Sequence, residues 1–200
     1  SPWTIYMLED YTIPVTDVVD VQEGESLTLT TASKTDTMFP FKPGQESDRA
    51  VITRGGVGDS MLKNAGVLTL DNIVLDGAKD SITATGNGGL VNSTAVLNLN
   101  DETTLRNSAA SGKGGAVYAE GTVNIVDGVI LTGNSAPSAS ALYLKGTLNM
   151  TGGSIKGNTG AADGAVVTES SGDVVNLSGS PVIFENTYTK DNKAQAANLY

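Results

Sequence analysis

Short runs of alternating apolar and polar residues recur along this chain at a nearly constant spacing. Apolar-polar-apolar triplets begin at positions 68, 97, 123, 148 and 175, so successive triplets lie 29, 26, 25 and 27 residues apart. Residues i and i+2 of a strand point to the same face, and the two apolar residues of each triplet therefore share one face. The central residue is Thr69 in the first triplet and an asparagine in the others, and it lies on the opposite face. We predict a short strand at each triplet.

Two further series of short apolar runs accompany the triplets. One precedes them, at positions 90–91, 117–118, 142–143 and 166–167, and the other follows them and closes on an asparagine. Gly, Asn, Asp and Ser separate the runs, as expected for turns. A short strand with one apolar face becomes stable when the next repeat stacks on it at roughly 4.8 Å. The pattern predicts an all-β chain that folds as a parallel β-helix (solenoid), with three short strands per coil and five to six coils.

A β-sandwich is the main alternative, because it also consists of short alternating strands. It does not require residue identities to recur at one period, as they do here, so the β-helix is favoured. Residues 1–57 are predicted to form an N-terminal cap and a first irregular coil. The last residues, "AANLY", are similar to "SALYL" at 140–144 and predict a chain that is a fragment of a larger protein. Within 58–200 the predicted coils are 58–87, 88–113, 114–138, 139–163 and 164–195, with the start of another coil at 196–200.

Composition narrows the function classes. The chain has 200 residues, with 12 Lys and Arg against 22 Asp and Glu, and its net charge of −10 disfavours nucleic acid and anionic membranes as partners. It lacks an apolar run of about 18 residues, so no membrane insertion is predicted. It contains neither cysteine nor histidine, which removes thiolate metal sites and the commonest general base. We therefore predict no catalytic residue, no metal site and no cofactor.

Recurring polar and aromatic side chains supply the candidate binding residues. The central residues of the triplets would form a flat polar stripe able to bind a ligand, although a solvated sheet face needs polar residues in any case. Tyr118 and Tyr143 are equivalent positions one coil apart, and stacked exposed tyrosines suit a sugar or a protein partner. The small neighbours Ala116 and Ala141 leave open whether these rings point outward or inward. The predicted ligand-binding residues are Tyr118, Tyr143, Asn98, Asn124, Asn149 and Asn176.

The asparagines that close the third series have a structural interpretation. Stacked asparagine side chains hydrogen-bond along the axis of a solenoid and tolerate the left-handed backbone of a tight turn. The predicted structural ladder consists of Asn107, Asn134, Asn158 and Asn186.

Acidic residues are the candidates for an enzymatic alternative. Asp71, Asp101 and Asp127 follow the middle strand, and a column of them could bind calcium, but Gly152 and Gly179 interrupt it. The chain offers no paired carboxylates in a common register, which disfavours hydrolase or lyase chemistry. The other charged candidates are Asp76, Asp80, Glu102, Arg106 and Lys145.

Two stretches carry a family resemblance. "GGAVYAEGTVNIVDGVILTGNSA" (114–136) and "ALYLKGTLNMTGGSIKGNTG" (141–160) resemble the right-handed parallel β-helix repeats of large adhesin-like surface proteins of Gram-positive gut bacteria. They are more distantly similar to the repeats of polymorphic outer-membrane proteins and autotransporter passengers. The resemblance implies a right-handed coil and an extracellular location, either secreted or at the bacterial cell surface, with attachment to the cell wall through regions outside this chain.

The resemblance also implies a partner class. It indicates a non-catalytic binding module that recognises a host ligand through the outer face of the β-helix, either a host protein such as immunoglobulin or a glycan or mucin. A polysaccharide lyase or hydrolase of the β-helix type and a structural stalk spacer are the alternatives. The oligomeric state is left open.

Overall fold

The computed structural model describes residues 2–14, 17–42, 48–191 and 193–199. These residues form short strands, turns and loops but no helix, and hence no helical membrane span. Three parallel sheets of seven, seven and six strands wind around a common axis, and a small fourth sheet lies at one corner. The predicted all-β parallel solenoid is confirmed.

Sheet 1 contains the predicted triplets. Leu97, Val123, Leu148 and Val175, which the sequence places in one axial column, are register partners in adjacent strands. The first three are fully buried and Val175 is partly buried. In spatial order the strands are β1 (Trp3–Met7), β4 (Ser26–Thr31), β7 (Val67–Asp71), β10 (Val96–Leu99), β13 (Thr122–Ile125), β17 (Thr147–Met150) and β21 (Val174–Leu177).

Sheet 2 follows sheet 1 in every coil and supplies a second apolar column, in which Leu75, Leu105, Leu131 and Ile155 are stacked partners. All four are fully buried. The strands are β2 (Tyr11–Ile13), β5 (Val51–Arg54), β8 (Val74–Asp76), β11 (Thr104–Arg106), β14 (Ile130–Thr132), β18 (Ser154–Lys156) and β22 (Val182–Phe184).

Sheet 3 closes the coil with six short strands, and sheet 4 fills the corner between sheets 2 and 3 in the last coils. Sheet 4 ends in an antiparallel pair, β23 with β24. The strands of sheet 3 are β3 (Val19–Val21), β6 (Leu62–Asn64), β9 (Val91–Ser93), β12 (Val117–Ala119), β16 (Leu142–Leu144) and β20 (Val166–Thr168). Those of sheet 4 are β15 (Ser135–Ala136), β19 (Thr159–Gly160), β23 (Thr187–Lys190) and β24 (Lys193–Ala196).

The structure has about seven coils, more than the five to six expected. The difference lies in residues 1–57, predicted as a cap and one irregular coil, which contain β1 to β5. Trp3 and Ile5 are register partners of Leu27 and Leu29, at the level of the apolar columns of sheet 1. At the other end, Leu199 forms a parallel bridge with Val166, the register of a next coil. Ser1, residues 15–16 and 43–47, Asn192 and Tyr200 lie outside the described residues.

A ladder of buried asparagines runs along one corner. Asn134 Nδ2 donates to Asn158 Oδ1 over 3.0 Å, and Asn158 Nδ2 donates to Asn186 Oδ1 over 2.9 Å. Each of these oxygens also accepts the backbone N–H of the preceding asparagine. The ladder ends at Asn198, whose Oδ1 accepts from Asn186 Nδ2 over 3.2 Å. Asn134, Asn158 and Asn186 therefore stack as predicted.

The fourth predicted ladder residue, Asn107, lies one position too early. Its φ is 51°, and Gly133 one coil later also has a positive φ, of 66°. The Asn107 side chain donates to Asp76. Ser108 stands at the level of the ladder, and its backbone N–H donates to Asn134 Oδ1 over 3.1 Å. Asn107 thus occupies the left-handed turn position, which asparagine tolerates better than most residues do.

Candidate functional site

The outward side chains of sheet 3 change from polar and charged to aromatic halfway along the solenoid. The outward residue of each strand lies directly over that of the preceding strand, at the coil spacing of roughly 4.8 Å. Val117 and Ala119, on either side of Tyr118, are fully buried, which shows that Tyr118 points outward. The outward column consists of Asp20, Lys63, Asn92, Tyr118, Tyr143 and Val167.

Tyr118 and Tyr143 stack, but they are not equally accessible. Their ring centroids lie 5.5 Å apart and their planes differ by 2°. Tyr143 is only 4% exposed, because it packs against Tyr118, Val167 and Ala139. Lys113 Nζ lies 4.2 Å from the centroid of the Tyr143 ring and donates to its hydroxyl over 2.7 Å. Tyr143 therefore acts as a support, and Tyr118, which is half-buried, presents the free aromatic surface.

Four charged side chains fix the two phenol groups. The Tyr118 hydroxyl donates to Glu120 Oε1 over 2.7 Å, and Lys145 lies 3.6 Å from Glu120. Lys145 and Lys113 also approach Glu169, at 3.9 and 3.7 Å. Exposed ion pairs contribute little stability individually, but as a network they restrict where the Tyr118 ring can lie.

Two pKa shifts reflect this network. Burial, together with the hydrogen bond to Glu120, raises the pKa of Tyr118 well above its usual value. The hydrogen bond to Tyr143 raises the pKa of Lys113. Both groups therefore keep their protons at neutral pH, and the phenol remains a neutral donor to Glu120.

A groove begins on the coil before Tyr118, next to Asn92. The Asn92 carboxamide makes no hydrogen bond to any residue that the structure describes. Lys63, one coil further, has its Nζ 3.1 Å from Asp59 Oδ2, and the Thr94 hydroxyl donates to a backbone oxygen over 3.3 Å. The groove has a volume of about 230 Å³ and is lined by Asp20, Asp59, Lys63, Asn64, Ala65, Asn92 and Thr94.

The predicted asparagine stripe lies on a different face, the outside of sheet 1. Its members hydrogen-bond to one another along the axis: Asn124 to Asn98 over 2.8 Å, Asn149 to Asn124 over 2.9 Å and Asn176 to Asn149 over 2.9 Å. Asn98 in turn donates to the Thr69 hydroxyl. The six predicted ligand-binding residues thus belong to two separate surfaces, and the carboxamides of the stripe already bind each other.

Other proteins give no independent guide to these surfaces. Comparisons of the chain with protein-family models, with curated proteins and with solved structures return no match. The resemblance to adhesin-like β-helix repeats therefore remains a prediction from the sequence.

The acidic candidates are mostly held in local contacts. Asp76 Oδ2 accepts from Arg106 Nε over 2.7 Å, and Asp71 Oδ2 accepts from the Thr30 hydroxyl over 3.2 Å. In the part of the chain that the structure describes, no three Asp or Glu side chains gather as a group able to hold a metal ion. The acidic column considered from the sequence does not form a cluster.

Sequence reasoning missed the residues that surround Tyr118. Asn92 occupies the position equivalent to Tyr118 one coil earlier, and the pair Val91-Asn92 could have been aligned with Val117-Tyr118. Glu169 could have been aligned in the same way, because it follows β20 as Lys145 follows β16 and Glu120 follows β12. Lys113 carries no such signal, because it lies in a turn that differs in length from coil to coil. Its contact with Tyr143 depends on the fold.

Proposed function

We propose that this protein is a non-catalytic extracellular binding module of a bacterial cell-surface protein, which captures a host ligand through the outer face of sheet 3. The observation that carries the proposal is the Tyr118 ring, stacked on Tyr143 and fixed by Glu120, beside the unbonded carboxamide of Asn92. A ring that is already held in place loses little conformational entropy on binding. The cell-surface setting comes from the resemblance of the repeats.

The arrangement supports binding better than catalysis. The charged groups near Tyr118 are paired with each other, as in a rigid contact surface, and the Tyr118 hydroxyl donates to one of them, Glu120. The enzymatic alternative depends on Asp101 and Arg106, and Arg106 is engaged by Asp76. A spacer needs no aromatic platform on one face, so a stalk role leaves the Tyr118 surface unexplained.

Direct binding to defined host material tests the proposal. The 200-residue chain is immobilised and exposed to gastrointestinal mucin, to immunoglobulin A and to immunoglobulin G, with binding followed by biolayer interferometry. We expect at least one of these probes to bind and Tyr118→Ala to weaken the binding at least about tenfold. Tyr6→Ala is the matched control, because Tyr6 is 63% exposed on the outer face of sheet 1.

Two results would overturn the proposal. Failure of the wild-type chain to retain any of the three probes would leave the spacer role. Turnover of polygalacturonate that disappears in Arg106→Ala would establish the enzymatic alternative.

A further inference from the structure

We propose that the groove beside Tyr118 binds a neutral pyranose ring, and so that the ligand of this surface is a neutral glycan. This inference rests on the proposed function, since it names the ligand class for the same face of sheet 3. It follows from the shape of the groove, from its unbonded polar groups and from its charge.

The shape of the space beside Tyr118 follows from the stacking of its ring on Tyr143. The two tyrosine rings are parallel and belong to adjacent coils, so one face of Tyr118 stacks against Tyr143. The other face is on the side of Asn92, its register partner one coil earlier. Because an asparagine side chain is much shorter than a tyrosine, we expect the outer part of the Tyr118 ring to extend beyond Asn92, which lines the groove.

The height of this space matches one sugar ring. Lys63 lies two coils from Tyr118, which corresponds to about 9.6 Å along the axis. A ring held between two groups at van der Waals contact needs about 7–8 Å between them. The C–H face of a pyranose would lie against the Tyr118 ring, which offers a large apolar surface with a polar tip.

The polar groups of the groove suit sugar hydroxyls. The Asn92 carboxamide offers both a donor and an acceptor and has no partner among the described residues. Vicinal hydroxyls of a pyranose present the complementary pair, one accepting and one donating. The lining of the groove is mostly polar, and the aromatic surface beside it belongs to Tyr118, the register partner of Asn92 on the next coil.

The charge of the region selects against acidic sugars. Asp20 and Asp59 line the groove, and the one lysine in its lining, Lys63, is paired with Asp59. The two lysines near the tyrosines, Lys113 and Lys145, are paired with Glu169 and Glu120. The whole chain carries a net charge of −10. A sialylated, sulfated or uronate-bearing glycan would bring a further negative charge without a free cation to receive it, so a neutral hexopyranose is favoured.

A glycan array tests the ligand class. The wild-type chain is applied to neutral oligosaccharides that end in galactose, glucose, fucose or N-acetylhexosamine, and to sialylated, sulfated and uronate oligosaccharides. We expect binding to at least one neutral glycan and none to the acidic series. Tyr118→Ala should reduce this affinity at least about tenfold, Asn92→Ala about fivefold, and Tyr118→Phe, which keeps the ring, by less than about threefold. Tyr6→Ala, on sheet 1, is the matched control and should bind normally.

The outcomes separate this inference from the proposed function. Tyr118-dependent capture of immunoglobulin without binding to any neutral glycan would overturn the sugar assignment and leave the proposed function intact. A preference for acidic glycans, or neutral binding that is unchanged in both Tyr118→Ala and Asn92→Ala, would also overturn it. Titration of ¹⁵N-labelled protein with the best neutral glycan should shift the Asn92 side-chain amide resonance, whereas shifts centred on the Asn98–Asn176 stripe would place the sugar elsewhere.

Discussion

Removal of one carboxamide from the buried asparagine ladder should destabilise the solenoid far more than removal of one from the outer stripe. Asn158 is fully buried, and its Oδ1 accepts both the backbone N–H and the Nδ2 of Asn134, at 2.9 and 3.0 Å. Its Nδ2 also donates to the Leu131 carbonyl over 3.1 Å. Asn158→Ala therefore leaves at least two buried N–H donors of Asn134 without an acceptor.

The expected loss of stability follows from the number of buried donors that lose their acceptor. A buried donor that loses its partner costs about 1–3 kcal/mol, so the free energy of unfolding should fall by about 2–6 kcal/mol. For a chain of this length, a midpoint loss of about 4 kcal/mol lowers Tm by about 8–16 °C. Asn149, in the same coil, is half-buried and exchanges only two side-chain hydrogen bonds, with Asn124 and Asn176. Because water can replace these bonds, Asn149→Ala should cost less than about 1 kcal/mol.

Thermal and urea denaturation of the two variants, followed by circular dichroism, measure the difference. Native-state hydrogen exchange adds local information, because coils of a solenoid can open separately. Exchange at the Asn134 amide should accelerate in Asn158→Ala and stay slow in Asn149→Ala. Equal losses of Tm in the two variants would refute the argument that burial of the ladder decides its contribution.

Three further predictions concern the backbone spacing, a buried cation and the phenol. Gly121→Ala should lower the free energy of unfolding by about 1–3 kcal/mol in urea denaturation, because a Cβ there would press into the backbone carbonyl of Ala95. Gly172→Ala is the control and should be neutral, because a Cβ there would approach only a distant serine hydroxyl. Arg54→Ala should cost about 2–4 kcal/mol in the same assay, since buried Arg54 donates to the carbonyls of Asp59 and Gly89. The raised pKa of Tyr118 predicts a contribution to stability that is complete at neutral pH and is lost as the pH rises above about 10. In a difference absorbance titration against Tyr118→Phe, ionisation of Tyr118 at or below pH 10 would contradict this.

The apolar columns were predictable because they repeat. The triplets that contain Leu97 and Val123 indicate both the period and the inward face, and stacking of successive repeats covers the apolar side of each short strand. The pairing of strands from successive coils then follows from this period alone. The number of coils within residues 1–57 was not predicted, because the residues there do not repeat. The strand β1 aligns Trp3 with Leu27 by backbone register, although their side chains have little in common.

Single-residue offsets and burial were less predictable for a physical reason. Asn107 and Asn134 both end an apolar run, yet an extra left-handed residue precedes the ladder position, and Gly133 supplies it in one coil while Asn107 supplies it in another. Similarly, Tyr118 and Tyr143 are equivalent in sequence, but only Tyr143 is covered by Lys113 from a neighbouring turn. Such differences arise from what lies on the adjacent coil, which the repeat pattern alone does not contain.

That dependence on the adjacent coil explains why a binding site would form at a break in the repeat rather than along it. On sheet 1, Asn124, Asn149 and Asn176 each donate to the preceding asparagine of the stripe, so the regularity that builds the stripe also engages its carboxamides with one another. On sheet 3, the column changes from polar and charged side chains to tyrosines between Asn92 and Tyr118. One carboxamide without a partner in the described chain and one uncovered ring face result at that boundary. Asn92→Tyr would continue the aromatic stack and remove both, and for that reason it should abolish the glycan binding that we propose while preserving the fold.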